Sequence, residues 1–182
     1  GTIIAIGADR NDDAGTDRGQ VQIYAFNNNT STWEQKGQNL NGENDDDNSG
    51  TSVALSDDGN IVAIGSINND GNGSNSGHVR VYEFDNTNWV QKGLDIDGEA
   101  IDDRSGFSIS LSVDGNIIAI GATNNDGNGI ISGSVRIYQW NGFAWVQRGL
   151  DIDGEAIEDL SGYSVSFNTS GNIVAISSIN ND

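Results

Sequence analysis

The chain repeats itself, and the repeat constrains its fold more than any other property. Trp33, Trp89 and Trp145 stand 56 residues apart, as do Gly37, Gly93 and Gly149. The same step separates Glu43, Glu99 and Glu155, and again Gly115 from Gly59 and Gly171 from Gly115. Segments Gly93–Asp126 and Gly149–Asp182 are identical at 22 of 34 positions. One insertion breaks the register, because Phe26–Trp33 is two residues longer than Phe84–Trp89. The 182 residues are therefore about three and a quarter copies of one unit. A unit of this kind cannot bury its apolar surface alone and needs neighbours stacked against it.

Each unit reads as four short strands. The first is Thr51–Leu55, matched by Phe107–Leu111 and Tyr163–Phe167, where large apolar residues alternate with Ser or Ala. That period of two places one apolar face and one small face on a strand. The turn Ser56–Asn60 follows, and its Asp-Gly pair is a strong hairpin signal. The second strand, Ile61–Ile64, is apolar throughout, as expected for a strand covered on both faces. Val79–Phe84 is the third, matched by Val135–Trp140 and Val21–Phe26, and Trp89–Lys92 the fourth. A Gly-, Asn- and Asp-rich loop, Asn68–Gly77, separates the second and third, and no helical period occurs anywhere. Four antiparallel strands per unit with recurring aromatics predict an all-β fold of β-propeller-type blades. The Trp residues, with Tyr24, Tyr82 and Tyr138, are expected to pack blade against blade.

The repeats divide the chain at 1–37 (the last three strands of a unit), 38–93, 94–149 and 150–182 (the first two strands of a unit). Joining the two ends would give about three blades, below the usual minimum of four. The expectation is an incomplete propeller, either a piece of a longer array or one whose edges are satisfied by neighbouring copies.

Composition narrows the function. With 27 acidic against 8 basic residues the formal charge is −19. No basic surface exists to displace counterions from phosphates, so nucleic acid is not expected as a partner. The purely aliphatic runs, such as Ile61–Ile64 and Ile117–Ile120, are four residues long, so membrane insertion is not expected. There is no cysteine, hence no disulfide framework and no thiolate chemistry.

In order and repetition the residues resemble the FG-GAP repeats of integrin-α-type propellers and their microbial and algal relatives. The resemblance is carried by Asp103–Ile109, then Ile120-Gly-Ala122, then Gly133–Tyr138. The same blocks recur at Asp47–Val53, Ile64-Gly-Ser66, Gly77–Tyr82 and Asp159–Val165. It implies a propeller of extracellular type, and in typical members calcium bound in an acidic loop between the first two strands. Here that place holds only the turns Ser56–Asn60, Ser112–Asn116 and Asn168–Asn172, and Ser49, Ser105 and Ser161 replace the motif phenylalanine.

Calcium, which takes six to eight hard oxygens, remains the candidate cofactor at a different place. The loop around Asn68, Asp70 and Asn72 and its copy at Asn124, Asp126 and Asn128 alternate oxygen-bearing side chains about a glycine. A plain turn-rich loop explains the same composition. The acidic segments Asn39–Asp47, Asp95–Asp103 and Asp151–Asp159 read as solvated loops between blades, with divalent-cation bridging as the alternative. The sole histidine, His78, reads as an incidental surface residue, since Gln20 and Ser134 hold its place in the other copies. Asn28, Asn29, Asn72 and Asn168 stand in glycosylation sequons.

These features predict a non-enzymatic extracellular or cell-surface structural or adhesion module, one section of a larger surface protein, fibre or matrix. Its expected partners are flanking repeats or neighbouring copies of the same protein. The alternative is a carbohydrate-binding propeller, with glycans as partners.

Overall fold

The computed structural model describes residues 1–181. They form four antiparallel sheets and no helix. The first sheet contains Ile3–Ala8 (β1), Gln20–Asn27 (β2), Thr32–Gln35 (β3) and Leu40–Asn41 (β4). The second contains Ser49–Leu55 (β5), Ile61–Ser66 (β6), His78–Phe84 (β7), Trp89–Gln91 (β8) and Ile96–Asp97 (β9). The third repeats it with Ser105–Leu111 (β10), Ile117–Ala122 (β11), Ser134–Trp140 (β12), Trp145–Gln147 (β13) and Ile152–Asp153 (β14). Ser164–Phe167 (β15) and Val174–Ser177 (β16) form the last, two-stranded sheet.

Strand order within a complete sheet follows the chain, β5-β6-β7-β8 and β10-β11-β12-β13, the meander expected of a propeller blade. The sequence pattern missed one element. The outer strand is broken, so that β8 pairs the end of β7 while the two-residue β9 pairs its beginning. The first strand also starts two residues earlier than the alternation suggested. A register shift between Ser49 and Ser52 lets it do so, with Gly50 at φ 94° inside the irregularity. That φ favours glycine over any residue with a Cβ.

The apolar core lies between sheets. Val62, Ile64, Tyr82 and Trp89 of the second sheet pack on Val21, Ile23 and Leu40 of the first. Ile118 and Ile120 of the third pack on Ile61, Ala63, Val79, Val81 and Ile96 of the second. The short last sheet packs Val165, Phe167, Val174 and Ile176 on Ala119 and Val135. A fully apolar strand such as β6 is thus explained: alternate residues face opposite neighbours, and all six of its residues are buried.

Glycine permits the sheets to approach. A Cβ on Gly65 of β6 would collide with the carbonyl oxygen of Gly106 in β10, and Gly121 meets Gly162 in the same way. Ser52 and Ser108 donate their hydroxyls to those two carbonyls at 2.6 and 2.7 Å. Gly65 has no positive φ, so alanine there tests the contact and not the backbone conformation. Gly65→Ala is expected to cost about 1–3 kcal/mol or more, as overpacking does, read as a lower urea midpoint. An unchanged midpoint would mean that the two backbones do not touch.

Candidate functional site

The features that recur in every unit lie in the seams between sheets. Each fourth strand pairs an aromatic with the third strand of its own sheet. Phe84 and Trp89 have ring centroids 5.1 Å apart, and Trp140 and Trp145 5.5 Å. The preceding sheet closes over each pair. Trp89 Nε1 donates to the Lys36 carbonyl at 2.7 Å and Trp145 Nε1 to that of Lys92 at 2.8 Å. The lysine ammonium of the same residue stands over the ring, Lys36 Nζ 4.6 Å from the Phe84 centroid and Lys92 Nζ 5.5 Å from that of Trp140, within cation–π range. Trp89 and Tyr82 are buried between sheets. Trp33 holds the same place in the first sheet, which has no sheet before it among the described residues, and it is exposed.

A polar layer runs beside the aromatic one. Asp47, Asp103 and Asp159 close the three acidic segments and are buried. Asp47 Oδ2 accepts the backbone N–H of Glu43 and Asn44 at 3.0 and 2.8 Å and the amide of Asn69 at 3.2 Å. Asp103 accepts from Ala100 N and Asn125 Nδ2, and Asp159 from Ala156 N and Asn181 Nδ2. A buried carboxylate persists because it is hydrogen-bonded several times over. Arg80 and Arg136 reach across the seam. Their Nη2 atoms donate to the carbonyls of Asn41 and Asp97 at 2.8 and 2.7 Å, and their Nη1 atoms lie 3.5 and 3.8 Å from Glu43 and Glu99. Partial burial raises both glutamates above the usual carboxylate range, with the guanidinium opposing that shift.

His78 departs from the sequence reading. It is not a surface residue but fully buried, because it opens β7, whose first five residues face neighbouring elements on both sides. Neither ring nitrogen has a hydrogen-bond partner among the described residues. Burial first, and Arg80 second, lower its pKa to about 4.

The loop residues nominated as cation ligands point to separate partners. Asn68 bonds Asn48, and Asp70 Oδ1 accepts Asn75 N at 2.8 Å. Asn72 turns its amide N–H groups, not its oxygen, to the carbonyls of Gly98 and Glu99. In the copy, Asn124 accepts from Thr123, Asp126 from Ile131 N, and Asn128 donates to Gly154 and Glu155. The residues that do converge were missed: Asn69, Asn125 and Asn181 on the closing aspartates. Their signal was present, since the second Asn of each Asn-Asn-Asp run stands 22 residues after that aspartate. Among the sequons, Asn28 and Asn29 lie exposed in the turn between β2 and β3. The nitrogens a glycan would join on Asn72 and Asn168 are engaged as hydrogen-bond donors.

A cleft of about 450 Å³ opens between the second and third sheets, lined by Leu94, Asp95, Asp97, Tyr138, Phe143 and Trp145 among others. At the matching place in the preceding seam the Gln38 amide donates to Trp89 O and accepts from Trp89 N, at 2.8 and 2.9 Å. Leu94 replaces that glutamine, cannot make those bonds and stands 87% exposed, as does Phe143 at 90%.

The family model described as FG-GAP repeat matches residues 41–82, which bears out the resemblance over that stretch. No curated protein matches the chain. Among solved structures, the chain is similar to a candidate 6-phosphogluconolactonase from Bacteroides uniformis, with a TM-score of 0.59 and 14% identity. The alignment covers 86% of this chain and 40% of that one, so the chain spans well under half of that protein's length. At this identity the likeness carries the fold and nothing of the reaction. The chain is a β-repeat module with propeller-like blades.

Proposed function

We propose that this chain is a non-enzymatic structural or adhesion module of an extracellular or cell-surface protein, and that its first sheet docks onto another sheet of the same repeat. One observation carries the reading. Ile4, Ile6 and Trp33 are 37%, 48% and 43% exposed, whereas their repeat equivalents Val62, Ile64 and Trp89 are 0%, 2% and 3% exposed beneath the preceding sheet. The face is therefore of a kind that the fold covers wherever a neighbour exists. Covering it would stabilise by roughly 1 kcal/mol per side chain, somewhat less than full burial of an aliphatic residue provides. The free edge of β1, which pairs only with β2, adds unpaired backbone groups to the same surface. The acidic charge of −19 keeps the remaining surface soluble. The recurring polar groups Arg80 and Arg136 serve the seams between sheets, which favours a structural reading. Light scattering after size exclusion tests the proposal. The chain is expected to self-associate with rising concentration, and Ile6→Asp with Trp33→Ser is expected to abolish association while leaving the circular dichroism of the sheets. A monomer at every concentration, or association indifferent to both substitutions, would contradict it.

The cleft supports a second reading, carbohydrate binding, because aromatic faces and carboxylates stand together there. Glycan titration would then change Trp fluorescence in the chain, and Leu94→Gln, which places the amide of Gln38 in this seam, would suppress the change. A signal equal in both proteins, or none, would remove this reading.

A further inference from the structure

We propose that Glu43, His78 and Asp95 form a binding site for a zinc-like divalent transition metal that ties the first sheet to the second. Three ligand atoms of suitable kind converge. His78 Nδ1 lies 3.6 Å from Asp95 Oδ2 and 4.0 Å from Glu43 Oε2, and the three atoms all lie within 4.8 Å of one another. These separations are too long for hydrogen bonds to the imidazole. Zinc holds nitrogen and carboxylate ligands at about 2.0–2.2 Å, and tetrahedral geometry then sets the ligand atoms roughly 3.3–3.6 Å apart. Small side-chain rotations of the two carboxylates close the difference, and both have room, with side chains 41% and 27% exposed.

The histidine distinguishes this site from an ordinary acidic surface. Its side chain is 1% exposed and both nitrogens lack a hydrogen-bond partner among the described residues, an arrangement that costs free energy until a ligand takes it up. Glu43 divides its oxygens, giving Oε1 to Arg80 at 3.5 Å and turning Oε2 to the imidazole, so the guanidinium positions the carboxylate without occupying the site. Imidazole with two carboxylates suits zinc and its neighbours better than calcium, which prefers oxygen alone.

The repeat supplies internal controls. In the next seam Glu99 and Asp151 hold the matching places, yet Ser134 replaces the histidine, and no nitrogen ligand is present. In the first repeat Gln20 and Asn39 stand where His78 and Asp95 do. Both His78→Gln and Asp95→Asn therefore install residues that the fold already accepts at that position.

The test is titration of the whole chain with Zn2+ in excess Ca2+, which saturates the diffuse acidic surface. Binding is followed by calorimetry and by the 15N resonances of labelled histidine, which His78 alone contributes. The expected result is one Zn2+ per chain, a shifted Nδ1 resonance, and a loss of affinity of about 100-fold or more in His78→Gln. That is at least the loss seen when even an outer-shell partner is removed. Asp95→Asn is expected to weaken binding about tenfold or more, and Glu155→Gln, outside the site, to leave it unchanged. Absence of stoichiometric binding would overturn the proposal. So would binding with an unmoved imidazole resonance, or binding equally tight in His78→Gln and Asp95→Asn.

Discussion

Neighbouring sheets of this molecule touch backbone to backbone. Gly65 lies against Gly106 and Gly121 against Gly162, with no room for a side chain between them, and a serine hydroxyl seals each contact. The Gly65–Gly106 approach sets the distance at which Ile118 and Ile120 reach Val79 and Val81, and at which Trp145 reaches the Lys92 carbonyl. Backbone contact also explains the glycines of three second strands, Gly7, Gly65 and Gly121, each of which meets a glycine of the following unit, Gly50, Gly106 and Gly162. The serine that replaces the family's phenylalanine precedes the second glycine of each pair and is buried, as Ser49, Ser105 and Ser161 all are.

A stack built in this way has faces and ends. β1 and β11 carry the same six residues, Ile-Ile-Ala-Ile-Gly-Ala, yet β11 is buried almost throughout and β1 is largely exposed. Composition and strand propensity cannot separate them, since they are identical. The difference lies in whether another sheet stands in front. The polar layer follows the same logic, because Arg80 and Arg136 find their glutamate and carbonyl partners on the preceding sheet. In the first seam alone a histidine is buried in this layer, opposite two carboxylates.

Much of the fold was legible. The 56-residue step located the strands, and the unbroken apolar run of β6 announced a strand covered on both faces. The β9 pairing was not legible, because two residues are too few for any period to register. The site was legible in kind more than in place. Asn, Asp and Gly marked the loops, but which oxygen meets which donor depends on side-chain direction across a seam. Hence Asn69 carries the contact to Asp47, while Asn68 and Asn72 face elsewhere. His78 was misread for a related reason. Its failure to recur suggested an unimportant surface position, whereas burial is set by the strand it opens and is shared with Gln20 and Ser134.

Stacking, and not local sequence, decides how firmly each sheet is held. Hydrogen exchange on the dilute chain compares the two identical hexapeptides directly. Amides of Ile117–Ala122, paired on both sides and covered on both faces, are expected to exchange far more slowly than those of Ile3–Ala8. Equal protection of the two segments would contradict it.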